Sequence, residues 1–299
     1  MKSRSIIVIS TLVLILVSSA TLARADLSRK QTRKLIARMV GLTLSESSVR
    51  VRQVAMTGTD HAEATAEVEL VFRLAQNEQG SWRISEVRTG QGRWEDLDTI
   101  AQAARFELSS DECDKGSPLS AASQLTAKRA RCLIASLFHV ELPSDAVRIK
   151  EVSPLGLPFG SRQSGLAVSL VRLDFQLAKS PGGWRVVALK SGNGMWQELA
   201  GVPAALDSIK RIRATEELNL MARALDAFHK DRGTFVVSEK QAVLIDHLSP
   251  RYLGRVIRVD PWHNPYEYLG DSDHFTLRSL GPDGKANTGD DLVVSNSGN

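Results

Sequence analysis

The segment from Ser279 to Leu292 contains the residue types best suited to chemistry. It is rich in Gly, Asp and Asn, and its acids are Asp283, Asp290 and Asp291. Calcium takes six to eight oxygen ligands in a flexible geometry, and a loop supplies them from carboxylates and backbone carbonyls. The spacing differs from that of an EF-hand because no Glu closes the loop. Taken alone, the pattern fits either a calcium loop or a solvated acidic turn.

The sequence contains no recognisable catalytic pattern. It has no His-Glu-x-x-His, no Gly-x-Ser-x-Gly and no phosphate-binding P-loop, and its six histidines are dispersed. The pieces Gly90-Gln-Gly92 and Gly192-Asn-Gly194 lack the third glycine that a dinucleotide fingerprint requires, so they indicate tight turns. We therefore expect a protein that is not an enzyme. A catalytic cluster assembled only in three dimensions would escape these patterns.

The charge of the chain does not indicate a nucleic-acid-binding protein. Lys2, Arg4 and Arg24 lie in the first 25 residues, which contain no acid, so the formal net charge of +4 falls to +1 for the remainder. Nucleic-acid binding requires a clustered basic face, commonly with aromatic platforms. We found neither in the sequence.

The first 25 residues are typical of a signal peptide. An apolar run from Ile6 to Leu22 follows Lys2 and Arg4, and Ala23-Arg24-Ala25 is a small-x-small cleavage site. The alternative is an uncleaved inner-membrane anchor, for which the run is slightly short because a spanning helix needs about 20 apolar residues. We expect an exported protein that is periplasmic or extracellular.

Export places Cys113 and Cys132 in an oxidising compartment, where disulfides persist. A bridge between them would close a loop of about 20 residues and stabilise the fold by about 3 kcal/mol in the chain-entropy model. The alternative is two unpaired thiols.

The middle of the chain contains an internal duplication. Leu35-Ile-Ala is repeated at Leu133-Ile-Ala, and Val49-Arg-Val-Arg is repeated as Val147-Arg-Ile-Lys, each time 98 residues later. Each copy starts with an amphipathic helix. Strands with period-two alternation follow, then a Trp-Arg hairpin strand and a Gly-x-Gly-x-Trp turn. Each copy is therefore predicted to be a small α+β unit, one helix with an antiparallel sheet, and two such units could pair their sheets.

The C-terminal third carries a run of specific motifs. A long helix, predicted from Asp207 to about Lys230 and ended by Gly233, leads to Asp260-Pro-Trp-His-Asn-Pro-Tyr-Glu-Tyr268. His274-Phe-Thr-Leu-Arg-Ser-Leu-Gly-Pro-Asp-Gly284 and Gly289-Asp-Asp-Leu292 follow. In order and spacing, this run resembles the soluble domain of the type II secretion major pseudopilin, the G pseudopilin. His263 stands where that family usually has Gly. The peptidase site that the family has before Phe-Thr-Leu-x-Glu is not found in this sequence. Two further domains precede the predicted long helix, so we do not expect that helix to enter a membrane as the family's helix does.

The resemblance implies a long helix with a small antiparallel sheet, and a calcium-binding loop that orders the sheet. By motif position, the implied calcium ligands are Asp283, Asp290 and Asp291, the Leu280 backbone carbonyl, and Asn287 or Ser279. The resemblance also implies envelope or secretion-machinery proteins as partners.

These observations predict an α+β protein in which two duplicated helix-plus-sheet domains precede a pseudopilin-like domain. The expected boundaries are a signal peptide at 1–25, the repeats at 26–108 and 124–206, a linker at 109–123, and the pseudopilin-like domain at 207–299. The expected function is that of an exported, non-enzymatic structural or interaction protein stabilised by calcium. The alternative is a periplasmic small-molecule-binding protein that encloses its ligand between the duplicated sheets.

Overall fold

The computed structural model describes residues 27–39, 41–106, 113, 124–155, 163–192 and 194–296. The predicted signal peptide and most of the predicted linker lie outside these residues. Within the described residues, no helix combines the length and apolar character needed to cross a membrane.

The predicted α+β class is confirmed. The first repeat contains α1 (Arg29–Ala37), β1 (Val49–Met56), β2 (His61–Gln76), β3 (Trp82–Gly90), β4 (Arg93–Asp96) and α2 (Leu97–Ala104). The second contains α3 (Ala127–Leu137), β5 (Val147–Leu155), β6 (Ser164–Ser180), β7 (Gly183–Ser191) and β8 (Gln197–Glu198). The C-terminal module contains α4 (Val202–Arg232), α5 (Gln241–Leu248), β9 (Glu267–Gly270), β10 (Phe275–Ser279) and β11 (Leu292–Ser295).

The two repeats join through their longest strands. β2 and β6 pair antiparallel along almost their whole length, and together the repeats form one eight-stranded sheet. β1 and β3 pair with successive halves of β2, as β5 and β7 do with β6. At the centre, one row crosses four strands and consists of buried valines: Val49, Val68, Val171 and Val147.

Both repeat helices pack on one face of this sheet and bury its alternate side chains. Ser28 begins α1 with a capping box, and Thr126 caps α3 through its hydroxyl. Each helix covers the first strand of its own repeat and also contacts the other repeat, α1 at β7 and α3 at β3. The two repeats therefore share one apolar core, in which Phe72 and Phe175 are almost fully buried.

The C-terminal module has its own core beneath a three-stranded sheet of order β11-β10-β9. Leu218, Met221 and Leu225 of α4 are buried there with Tyr266 and Leu277. This helix plus small antiparallel sheet is the predicted arrangement.

The predicted start of the long helix at Asp207 is wrong, because α4 begins at Val202. Gly201 precedes it and Pro203 lies in its first turn, where the fixed φ of proline suits a helix and its missing N–H costs nothing. Instead of capping, Asp207 accepts hydrogen bonds from Arg211 (3.0 Å) and from the Trp262 indole (3.2 Å).

Candidate metal centre

A buried carboxylate organises the proline-rich turn that supports the acidic loop. Asp260 is 2% exposed. One of its oxygens accepts hydrogen bonds from the backbone N–H groups of Trp262 (3.0 Å) and Asn264 (2.9 Å). The other accepts from the Ser279 hydroxyl at 2.6 Å, which ties the turn to the end of β10. The Asn264 side chain then donates to the Gly281 carbonyl at 2.7 Å. The turn thus fixes the entrance of the loop.

The loop after β10 closes back on itself at Gly281. This residue has φ +60°, and a Cβ placed there would lie 2.6 Å from the Asp290 carbonyl oxygen. Glycine is therefore required both by the left-handed backbone and by the close approach. The closure brings Asp290, near the end of the loop, beside Gly281, near its start.

The three acids predicted as calcium ligands lie around the hydroxyl of Thr288, a residue that was not among the predicted ligands. The Thr288 oxygen lies 2.6 Å from an Asp290 oxygen and 3.4 Å from one oxygen each of Asp283 and Asp291. It also lies 3.1 Å from the Lys285 carbonyl. A hydroxyl donates only one hydrogen. Thr288 can therefore donate a hydrogen bond to one of these oxygens, and the others lie close to its oxygen with no proton between the two atoms.

Backbone donors hold the same carboxylates. Asp283 accepts from the Lys285 N–H at 2.8 Å, Asp291 from the Asn287 N–H at 2.8 Å, and Asp290 from the Asp283 N–H at 3.2 Å. The hydrogen bond from Thr288 is the main cause that lowers the pKa of Asp290 below its ordinary value. The charged form of Asp290 is therefore favoured.

The remaining predicted ligands lie at the edge of this cluster. Leu280 is half-buried directly after β10, and Asn287 is exposed with φ +63°. Among the contacts of the described residues, none joins the Leu280 carbonyl or the Asn287 side chain to the Thr288 hydroxyl. Within the same residues, no three His, Cys, Asp or Glu side chains form a ready metal-ligand group. The donors nevertheless suit a hard cation, since the carboxylates, the hydroxyl and the nearby carbonyl are all oxygen ligands.

The structure joins Cys113 and Cys132 in a disulfide, with Cα atoms 5.7 Å apart. It also places the two turn tryptophans on the sheet face opposite the helices. Arg73 lies over Trp94 at 4.4 Å, and Lys190 lies over Trp196 at 4.9 Å. Each tryptophan is half-buried beneath a cation.

The long helix, the small sheet and its acidic loop lie in one module, and they follow the order of the sequence motifs. Residues 202–297 match the family model of the type II secretion system (T2SS), protein G. The match covers the C-terminal third of the chain and begins where α4 begins. No curated protein and no solved structure shows significant similarity to the chain. The C-terminal third is thus a protein G-like, or pseudopilin-like, module, and the duplicated repeats carry no such match.

The pseudopilin-like module packs against the first repeat through the N-terminal half of α4. α2 lies along α4. The Lys210 ammonium donates to Glu95 at 2.7 Å, and the two side chains are 8% and 15% exposed. Arg213 lies 3.9 Å from Asp96. His263, at the position where the family usually has Gly, adopts φ +74° and brings its Nε2 to 4.0 Å from Glu95.

Proposed function

We propose that this is an exported, non-enzymatic structural or interaction protein of type II secretion, with a pseudopilin-like module stabilised by calcium. The observation that carries the proposal is the family match over residues 202–297, which covers the whole of α4, the small sheet and the acidic loop. The proteins expected to bind it are components of the envelope or of the secretion machinery.

The calcium proposal is supported by the crowding around Thr288. Three carboxylates, from Asp283, Asp290 and Asp291, approach one hydroxyl, and like charges at such distances repel each other. The nearest described cations neutralise these carboxylates only in part. Arg278 lies 3.8 Å from Asp291, and Arg211 reaches only the backbone carbonyl of Asp290. A calcium ion would neutralise the carboxylates and complete its ligand set with carbonyl oxygens and water.

Thermal melting with a calcium titration tests this proposal. A ligand at 100 times its Kd stabilises the folded state by about 2.7 kcal/mol, and we expect a rise in Tm of about 4 °C in millimolar calcium. Asp290→Asn should abolish the rise. Asp273→Asn, in the neighbouring hairpin turn, should retain it. An unchanged Tm for the wild-type chain, or a full rise for Asp290→Asn, would remove calcium from the proposal.

The partner assignment is tested by a pull-down from envelope extract with the full chain as bait, with and without calcium. We expect secretion-machinery proteins to be recovered, and more of them when calcium is present. Recovery of the same proteins by a bait that lacks residues 202–297 would assign the interaction to the repeats. Recovery of no secretion component would contradict the proposed role.

The alternative, a small-molecule-binding protein, gains no support from the joint between the repeats. That joint consists of paired backbone between β2 and β6 and of packed core side chains, including Val68 and Val171. A described cleft lies instead within the second repeat, between α3 and β5, and Lys128, Arg131 and Arg148 are among its lining residues. Four of its eight lining residues are charged and none is aromatic, whereas the pockets that enclose small ligands are lined mainly by hydrophobic and aromatic side chains.

A further inference from the structure

The first helix of the protein exposes a concentrated positive charge. Five basic residues are exposed, four in α1 and one directly after it, and none forms an ion pair with a residue that the structure describes: Arg29, Lys30, Arg33, Lys34 and Arg38. No acid occurs between residues 27 and 39. Elsewhere the pattern differs, since Arg52 and Arg148 contact Glu67 and Arg172 contacts Asp145.

These cations share one side of α1. At about 100° per residue, the five positions occupy one half of the helix circumference. Thr32, Leu35 and Ile36 lie on the other half, where Thr32 and Ile36 are buried against the sheet. The five cationic side chains are exposed to solvent, and Ala37, in the last turn of α1, is the buried residue on their half of the helix.

The duplicated helix shows that folding does not require three of these cations. α3 has the same N-terminal cap type and the same packing on its sheet. It keeps Lys128 and Arg131 at the positions of Lys30 and Arg33. At the positions of Arg29, Lys34 and Arg38 it has Ala127, Cys132 and Ser136. Cations in the first turn of a helix also oppose its dipole. Three of the five cations are therefore additions to the shared fold and not part of its packing.

We propose that the exposed basic face of α1 binds an anionic phospholipid surface. The apolar run that ends at Leu22 is separated from Arg29 by residues 23–28. Six residues reach at most about 20 Å, so a membrane that holds the run also has α1 within reach of its headgroups. Lipid is favoured over nucleic acid because residues 27–39 include no aromatic side chain on which a base could stack. This inference does not depend on the proposed role in secretion.

The expected strength follows from the number of cations. Each Lys or Arg near an anionic membrane surface contributes about five-fold in affinity, and the attraction falls off within a Debye length. Loss of three cations from α1 should therefore lower the affinity for anionic vesicles about 100-fold. High salt should weaken the interaction in the same way.

The test measures how fast an amine-reactive reagent labels individual lysines in the full chain, read by mass spectrometry. The chain is mixed either with vesicles of equal phosphatidylglycerol and phosphatidylcholine or with vesicles of phosphatidylcholine alone. We expect phosphatidylglycerol to slow the labelling of Lys30 and Lys34 several-fold, and salt to restore it. Lys150, on the opposite sheet face, and Lys230, on α4, should be unaffected. Because the comparison is between two vesicle types, retention of the N-terminal apolar run does not change the readout.

A matched pair of variants completes the test. Arg29→Ala/Lys34→Ala/Arg38→Ser imitates α3, and it should abolish the protection of Lys30. Arg93→Ala/Arg223→Ala/Arg258→Ala removes the same charge from exposed positions elsewhere and should leave the protection intact. The proposal is overturned if phosphatidylcholine protects Lys30 equally, if the α1 variant keeps its protection, or if the control variant loses it. Equal protection by duplex DNA at matched phosphate concentration would replace the lipid assignment with general polyanion binding.

Discussion

Replacement of Lys210 by methionine should weaken the joint between the first repeat and the pseudopilin-like module. The Lys210 ammonium lies 2.7 Å from a Glu95 oxygen, and both side chains are largely buried. Methionine fills similar space and removes the charge. Glu95 would then remain in a poorly solvated site with His263 as a neighbour at 4.0 Å, beyond hydrogen-bonding distance.

The size of the effect follows from the cost of an uncompensated buried charge. Breaking a fully buried pair by removing one partner costs about 3–5 kcal/mol. Glu95 retains 15% exposure of its side chain, so we place the loss at about 2–3 kcal/mol. For a chain of this size, that loss lowers Tm by about 3–5 °C.

Urea denaturation followed by tryptophan fluorescence measures this loss in both parts of the protein. Trp82, Trp94, Trp184 and Trp196 report on the repeats, and Trp262 reports on the pseudopilin-like module. Lys230→Met is the control, because Lys230 lies on the same helix, is exposed and forms no ion pair with a described residue. The control should change the stability by less than about 0.5 kcal/mol.

The double variant Lys210→Met/Glu95→Leu separates a buried-charge penalty from a packing defect. Apolar replacement of a whole buried pair is often neutral, so the double variant should return to within about 1 kcal/mol of the wild type. A single variant that loses less than about 1 kcal/mol would refute the reasoning, as would a double variant less stable than the single one.

Three further outcomes follow from the C-terminal module. Ser279→Ala removes the hydroxyl that donates to buried Asp260, so chemical denaturation should show a loss of about 1.5–3 kcal/mol. His263→Val places a β-branched residue at φ +74° and should cost about 1–3 kcal/mol in thermal melts, whereas His263→Gly should stay within about 1 kcal/mol of the wild type. Burial, with the nearby charge of Asp271, raises the pKa of Tyr268 to about 12. Its stabilising contribution is therefore full below its unfolded pKa of about 10 and is lost as pH rises through about 12, and Tyr268→Phe should flatten this part of the stability profile.

Most of the elements of the repeats could be predicted because their signals are local. The duplication places an amphipathic helix and alternating strands at fixed spacing. α1 and α3 contain the repeated Leu-Ile-Ala motif, and β1 and β5 begin at the repeated Val-Arg motif. The start of α4 was misplaced because Asp207 is a good cap in isolation. In the folded protein its carboxylate is engaged by Arg211 and Trp262, and the latter contact spans 55 residues of sequence.

The candidate metal centre was predictable in composition but not in arrangement. The acids Asp283, Asp290 and Asp291 stand out in the sequence. Their convergence on Thr288 requires the backbone closure at Gly281, which no residue pattern encodes directly. Threonine is a common loop residue, so only its position between an Asn and a Gly-Asp-Asp run could have indicated it.

The open face of the large sheet shows why the two repeats pair within one chain. Phe72 of β2 pairs with Ala167 of β6, and Phe175 of β6 pairs with Ala64 of β2. A pseudo-two-fold axis therefore relates the two repeats, and under this symmetry Glu69 of the first repeat is equivalent to Arg172 of the second. In the chain itself, Glu67 lies opposite Arg172.

Two ionic contacts of the described residues on this face cross between the repeats, Arg148 with Glu67 and Lys150 with Glu69. Glu67 is contacted by Arg148 as well as by Arg52, and Glu69 by Lys150. Burial alone raises the pKa of Glu67, but the hydrogen bond and charge of Arg52, with Arg148, hold it below its ordinary value. Two copies of the chain could instead pair through their β2 strands, in the register that β2 and β6 use here. Glu67 of each copy would then lie opposite Glu69 of the other. Like charges directly opposite are destabilising. The acids of the first repeat and the bases of the second thus favour pairing within the chain over pairing of identical repeats from two copies.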